Sequence, residues 1–224
     1  MVHKGFHEEH LFTIHNSLDH KSQVDLRNSL KESDIYTKYF NNNYPVLIFI
    51  GRLTPVKKLN QLIDELGVLN AKGEQYNLVL VGDGSEKNNL QQLVNRTKLN
   101  DKVWFYGACY DEYQNAELIY NADLCVAPGN VGLTAMHTMV FGTPVLTHND
   151  FKWQMPEFEA IVPNKTGYFI KSGDTTDLAD KIEQWFNDKV NSREIVRNAC
   201  YNEIDTSWTP QFQLEVLKKG MNIW

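Results

Sequence analysis

Residues 46–57 read Val46-Leu47-Ile48-Phe49-Ile50-Gly51-Arg52-Leu53-Thr54-Pro55-Val56-Lys57. An unbroken apolar run of five residues, ended by glycine, is the pattern of a parallel strand covered on both faces. From Val56 the period changes. Val56, Leu59, Leu62, Ile63, Leu66 and Leu69 recur every three or four residues, as on the buried side of an amphipathic helix. A strand, a loop carrying an arginine and a lysine, and a helix make the first unit of an alternating α/β chain.

The unit repeats downstream. Leu78-Val79-Leu80-Val81 is a second apolar run, ended by Gly82-Asp83-Gly84, and Leu90, Leu93 and Val94 mark the helix after it. Val103 to Tyr106 is a third strand, followed by a helix over roughly 111–121. Asp123 to Ala127 is a fourth, Pro128-Gly129-Asn130 breaks the chain, and a helix follows over about 132–141. Pro144 to Thr147 and Tyr168 to Ile170 are the fifth and sixth strands. Asp174 can cap the next helix, whose core face is Leu178, Ile182, Trp185 and Phe186, and two further helices are expected near 191–203 and 209–220. Strands alternating with helices at this spacing imply an α/β fold with a doubly wound parallel, Rossmann-like sheet. Ligands of such sheets bind beyond the carboxyl ends of the strands. That singles out the loops at 51–57, 82–85, 106–111, 128–133 and 147–156.

The flanks are less regular. Five of the seven histidines fall within residues 1–20, and residues 20–43 are polar, with a weak apolar pattern at Val24, Leu26, Leu30, Ile35 and Tyr39. A linker with one or two short helices is expected there. The whole chain is 42% hydrophobic, enough for a proper core, and its 22 Lys and Arg against 28 Asp and Glu give a net charge of -6. That sign argues against a nucleic-acid partner but not against a small basic pocket. Cys109, Cys125 and Cys200 are odd in number and form no CxxC pair, so neither a disulfide framework nor a zinc site is expected. With no apolar run of membrane-spanning length and no signal-peptide core at the start, the expectation is a cytoplasmic protein, at most peripheral to a membrane.

Several motifs bear on chemistry, each with a plainer reading beside it. Gly51, Arg52 and Lys57 place two cations at the ligand edge of the sheet, where they could hold a diphosphate; taken alone, two solvated surface cations are the plainer reading. Gly82-Asp83-Gly84 is a dinucleotide fingerprint without its third glycine, and a tight turn is the better reading. In Gly129-Asn130-Val131-Gly132-Leu133-Thr134, free amides at the start of a helix would face the cleft and favour an anion; the plain alternative is an ordinary loop. His137, one turn into that helix, is either structural or a ligand contact. His7-Glu8-Glu9-His10 resembles a metal site only superficially, and no Asp-x-Asp pair exists to bridge a metal to a diphosphate. No metal and no cofactor are expected.

Together these pieces resemble the C-terminal domain of the family 4 retaining glycosyltransferases, also called glycosyl transferases group 1, which have the two-domain GT-B fold. The resemblance runs from Thr13 to about Phe186. It includes Ile14 to Asp19, Gly51-Arg52-Leu53 with Lys57, Val81 to Gly84, Val103 to Gly107, Ala122 to Pro128, Phe141 to Val145, and Gly167 to Ile170 with Gly173-Asp174. It implies three segments: a remnant of the N-terminal domain and linker at 1–20, a nucleotide-sugar-binding domain at 21–205, and a crossover helix at 206–224. The acceptor-binding half would then lie outside these residues. It also implies that Arg52 and Lys57 hold the donor diphosphate, and that the base lies near Tyr106, Gly107 and Ala108. The family places two glutamates in the donor site, one toward the sugar and one toward the ribose; this sequence has Gly129 and His137 there. Lys58 stands where a glycine is common.

The function implied is transfer, with retention, of a sugar from a nucleotide diphosphate donor to a glycan, lipid-linked or other acceptor. Two alternatives remain open: a GT-B nucleotide-sugar epimerase, and a catalytically inactive binding or scaffold module. The last helix, with Trp208, Phe212, Val216, Leu217 and Trp224, is expected to lack its usual partner and to expose an apolar patch that promotes self-association.

Overall fold

The computed structural model describes residue 5 and residues 7–188 and 192–221. Six parallel strands form one sheet in the order β3-β2-β1-β4-β5-β6: β1 Val46–Ile50, β2 Asn77–Val81, β3 Val103–Gly107, β4 Leu124–Ala127, β5 Val145–His148 and β6 Gly167–Ile170. Strands β1, β2, β4 and β5 are buried along their whole length, which is why β1, β4 and the Leu78–Val81 part of β2 read as unbroken apolar runs; β3, at an edge, buries only Val103.

The helices pack in two groups, as right-handed crossovers require when strand order reverses. Helix α3 (Leu59–Ala71) lies against α4 (Lys87–Thr97) and α7 (Thr175–Asn187). Helices α1 (His20–Arg27) and α2 (Ile35–Phe40) lie on α5 (Glu112–Asn121), and α8 (Arg193–Ser207) lies on α6 (Thr134–Met139). Asp174 caps α7 as expected, accepting from Asp177 N at 3.0 Å. The reversal of order falls between β1 and β4, so the crevice of the sheet opens between the loops after those strands.

Three expectations need correction. The helix after β1, α3, begins at Leu59, not Val56; Pro55–Lys57 is a separate 3-10 turn and Val56 is exposed. The break between them is Lys58, whose φ of 51° is left-handed, a conformation glycine adopts at no steric cost and other residues at about 1–2 kcal/mol. The helix expected over 132–141 is only Thr134–Met139, flanked by turns.

The last helix, α9 (Pro210–Met221), is not wholly without a partner. Trp208, just before it, is 1% exposed and stacks on His15 at 4.3 Å, while Gln213 Nε2 donates to His15 O at 3.0 Å and Ser17 Oγ to Gln213 Oε1 at 2.8 Å. The segment before α1 therefore covers one side of α9. Leu214, Leu217 and Met221 remain exposed on it. Trp224 lies outside the described residues. No helix among the described residues is long and apolar enough to cross a membrane.

Candidate functional site

The loops after β1 and β2 are zipped together by main chain. Leu53 N donates to Asp83 O and Glu86 N to Leu53 O, both at 2.9 Å. A side chain on Gly82 would run into the carbonyl of Gly51, and one on Gly84 into that of Leu53. The Gly82-Asp83-Gly84 glycines thus serve close approach of two loops, and the Asp83 carboxylate pairs with Lys87 Nζ at 2.7 Å.

Arg52 projects from the zipped loop, exposed; its carbonyl accepts from Thr54 N, and its guanidinium has no hydrogen-bond or ion-pair partner among the described residues. Lys57 closes the 3-10 turn and is half-buried; its Nζ donates to Asn130 O at 2.6 Å. Burial, and then the positive charge of Arg52, lower the Lys57 pKa from its ordinary 10.5. Two cations that repel each other across a half-buried cleft are a site an anion would relieve.

The loop after β4 is built differently from the expectation. Gly129 N donates to Lys57 O, Asn130 N to Val56 O and Val131 N to Gln154 Oε1. Those three amides are therefore occupied and do not face an anion. In the segment 129–134, Gly132 N, Leu133 N and Thr134 N have no acceptor among the described residues. Thr134 is tied back to β1, its Oγ1 donating to Ile50 O at 2.9 Å. Gly129 is pressed on the 3-10 turn so closely that a Cβ would overlap Val56 O and the Lys57 backbone. A glutamate cannot be placed there on this backbone. The loop after β5 latches over the same region: Asn130 Nδ2 donates to Trp153 O at 3.0 Å, and Gln154 Nε2 to Thr147 Oγ1 at 2.8 Å.

His137 joins the site from α6. Its Nε2 lies 2.9 Å from Glu112 Oε1, in the first turn of α5, and the same oxygen accepts from Gln23 Nε2 of α1 at 3.2 Å. A cavity of about 290 Å³ is walled by Gly51, Arg52, Gly82, Ala108, Asn115 and His137, among others, and a recess of about 320 Å³ adjoins it between Gln23, Glu112, Leu133, Thr134 and His137. Ile50, Gly51 and His137 wall both.

Tyr106 does not wall either cavity; its hydroxyl donates to Gln114 Oε1 at 2.7 Å and its ring packs edge-on to Trp104. Alternation along β3 sends it toward α5, so Ala108, Cys109 and Tyr110 take the place expected for it. Gly107 holds β2 by accepting from Gly82 N at 2.8 Å. Glu112, Asn115, Gln23 and Gln154 were not expected at the site. Glu112 carries one local signal, its position just past the Asp111 cap at a strand's carboxyl edge; the other three carry none. Among the described residues no group of three His, Cys, Asp or Glu is gathered as a metal ion would need.

The fold and site define a class: a Rossmann-like α/β domain with a basic cleft at the reversal point of its sheet. The description of glycosyl transferases group 1 matches residues 31–203, and the chain belongs to that family. It is 25% identical over 219 residues to the capsular polysaccharide biosynthesis glycosyltransferase CapM of Staphylococcus aureus, a match covering 90% of this chain and 51% of that protein. The chain spans about half the length of the curated relatives it matches. In fold it is similar to Anabaena Alr3699/HepE, crystallised with UDP, at TM-score 0.75 and 21% identity over 99% of this chain and 60% of that one. It is also similar to the C-terminal domain of the group 1 protein LpcC of Francisella tularensis, at TM-score 0.63 and 20% identity over 83% of this chain and 98% of that one.

Proposed function

We propose that this chain is the donor-binding half of a retaining glycosyltransferase, holding the diphosphate of a nucleotide sugar between Arg52, Lys57 and the amides of Gly132 and Leu133. The observation that carries the reading is the unpaired Arg52 beside the half-buried Lys57 at the reversal point of the sheet. The nucleoside would occupy the cavity from Ala108 to His137. In the reaction the bond between the sugar's anomeric carbon and the diphosphate breaks, and its electron pair goes to the phosphate oxygen. A bond forms from the acceptor hydroxyl to the same carbon, and the hydroxyl proton leaves with the diphosphate. The two cations stabilise that developing charge. The acceptor, a glycan or lipid-linked sugar, would be met by the part of the enzyme that pairs with this half. UDP bound to HepE and the capsular role in the name of CapM support this choice of donor and acceptor class.

A second reading has its own observation. Gly129 leaves no room for a carboxylate facing the donor sugar, which favours a module that binds nucleotide sugar without turning it over. Calorimetry with UDP and GDP, with and without a chelator, tests the shared part: binding that survives the chelator is expected, and no binding of either at millimolar levels overturns it. Donor hydrolysis or transfer by the full enzyme then separates catalyst from module.

A further inference from the structure

Along the carboxyl edge of the sheet the proposed donor site follows the order of the strands. The nucleoside cavity is walled from the loops after β1, β2 and β3, through Gly51, Gly82 and Ala108, and the clamp lies where the loops after β1 and β4 meet. The next loop in that order follows β5 and carries a 3-10 turn, Phe151–Trp153. Phe151 packs back on the protein, stacked on Phe158 at 4.3 Å and edge-on to Phe169 at 5.2 Å. Trp153 does not: it is 74% exposed, stacks on no ring and has no acceptor for its indole N–H among the described residues. Its main chain is nevertheless fixed. Trp153 N donates to Asp150 O and Trp153 O accepts from Asn130 Nδ2, both at 3.0 Å. Gln154, the next residue, is tied to Val131, Thr147 and His148. Asn130 is also the residue whose carbonyl accepts from Lys57 Nζ, so a bare indole is held two hydrogen bonds from the clamp.

A ligand whose nucleoside fills the cavity and whose diphosphate meets the clamp extends along this edge, so the group beyond its diphosphate reaches the loop after β5. We propose that Trp153 is the platform for that group: its indole covers the C–H face of the donor's pyranose ring. This rests on the nucleotide-sugar reading above. A pyranose carries C–H groups on its faces and hydroxyls around its rim. The weakly positive hydrogens suit the negative face of an indole, and the contact removes apolar surface of both from water. Gly129 offers the sugar no side chain and has no room for one, so an apolar face from the loop after β5 stands in for a carboxylate from the loop after β4. A role confined to shaping the loop would use only the main-chain bonds of Trp153, which other residues supply equally well.

Calorimetry on the full chain compares UDP with UDP-glucose, UDP-galactose and UDP-N-acetylglucosamine, and GDP with GDP-mannose. The wild type is expected to bind at least one nucleotide sugar about three- to tenfold tighter than its diphosphate, the effect of burying roughly one CH2 group or a little more. Trp153→Ala is expected to lose that gain, to bind the free diphosphates within about twofold of wild type and to keep its thermal midpoint. Trp153→Phe is expected to keep part of the gain; a Phe variant as weak as the Ala variant overturns stacking on the ring face. No gain for any sugar in the wild type, or a gain that survives in Trp153→Ala, overturns this proposal alone. A surviving gain joined to Trp153-dependent sedimentation with phosphatidylglycerol vesicles assigns the indole to a membrane surface instead. Methyl glycosides titrated without nucleotide separate donor from acceptor: binding that needs Trp153 there puts an acceptor sugar on the indole and overturns the donor assignment. A wild type that binds none of the diphosphates overturns the nucleotide reading and this proposal with it.

Discussion

Lys57→Ala and Arg52→Ala test the proposed clamp with different expected magnitudes, because the two cations differ in burial. Opposite unit charges 4 Å apart attract by about 4 kcal/mol at the effective dielectric of a partly buried site and by about 1 kcal/mol in bulk water. Lys57 is half-buried, so most of its attraction survives; Arg52 is exposed and screened. A hydrogen bond to a charged group nets about 1.5–3 kcal/mol once desolvation is counted. Lys57→Ala is therefore expected to weaken UDP or GDP binding by about 2–3 kcal/mol, on the order of 30- to 150-fold. Arg52→Ala is expected to cost about 1.4 kcal/mol, about tenfold, and to cost less as salt is raised. The Lys57 variant also loses the bond to Asn130 O, so its thermal midpoint is measured beside its affinity. Titration calorimetry of the wild type and of the Lys57→Ala, Arg52→Ala and His137→Ala variants at two salt concentrations is the assay. Binding of both variants within about twofold of wild type, with His137→Ala alone abolishing it, refutes the clamp and moves the anion site elsewhere.

The other expected outcomes concern stability and association. Gly129→Glu is expected to lower stability by about 2 kcal/mol or more, because its Cβ meets the Val56 carbonyl, and so to lower the thermal midpoint by at least about 4 °C; an unchanged midpoint refutes the packing argument. Lys58→Gly relieves a left-handed lysine and is expected to gain about 0.5–1 kcal/mol in denaturant melts, whereas a loss would show that other contacts of the side chain matter more. Burial raises the Asp205 pKa, but the bonds from Arg27 and His20 outweigh it and hold it below 3.8. A depressed carboxylate stabilises the fold above its unfolded pKa and loses that contribution as pH falls through the folded value, so Asp205→Asn is expected to be less stable at neutral pH and to show a shallower loss of stability below pH 3.8. Parallel acid-melting curves for the two proteins would count against it. The exposed Leu214, Leu217 and Met221 edge of α9 is expected to give weak self-association; a single monomeric species in sedimentation across the full concentration range would exclude it.

Most of the sheet was legible because its signals are local. Runs such as Val46–Ile50 and Leu78–Val81, and the switch from them to helical spacing, come from burial on two faces or on one, and each is complete within a short stretch of chain. The order of the strands in the sheet was not read from these repeats, because right-handed crossovers allow more than one doubly wound order. Arg52 and Lys57 were legible for a related reason, since their distance from a strand end is counted along the chain. The start of α3 was misjudged because Val56 fits the helical spacing while Lys58 turns left-handed, and a left-handed lysine has no mark in the sequence.

What escaped the sequence depends on segments far apart along it. The amides of Gly129 and Asn130 look free at a loop start, yet Lys57 and Val56 carbonyls occupy them; the matching bond from Lys57 Nζ to Asn130 spans 73 residues. Trp208 reads as an unpartnered aromatic until the chain brings His15 onto it. Glu112 and His137 are 25 residues apart on separate helices, and Gln23 reaches the same oxygen from a third. The sequence alone determined the architecture and the place of the basic cleft, because hydrophobic periodicity and strand-end position are short-range properties. Only the tertiary structure decided which donors in that cleft remain available, because a hydrogen bond is used up by whichever partner packing brings to it, and packing between distant segments leaves no local pattern.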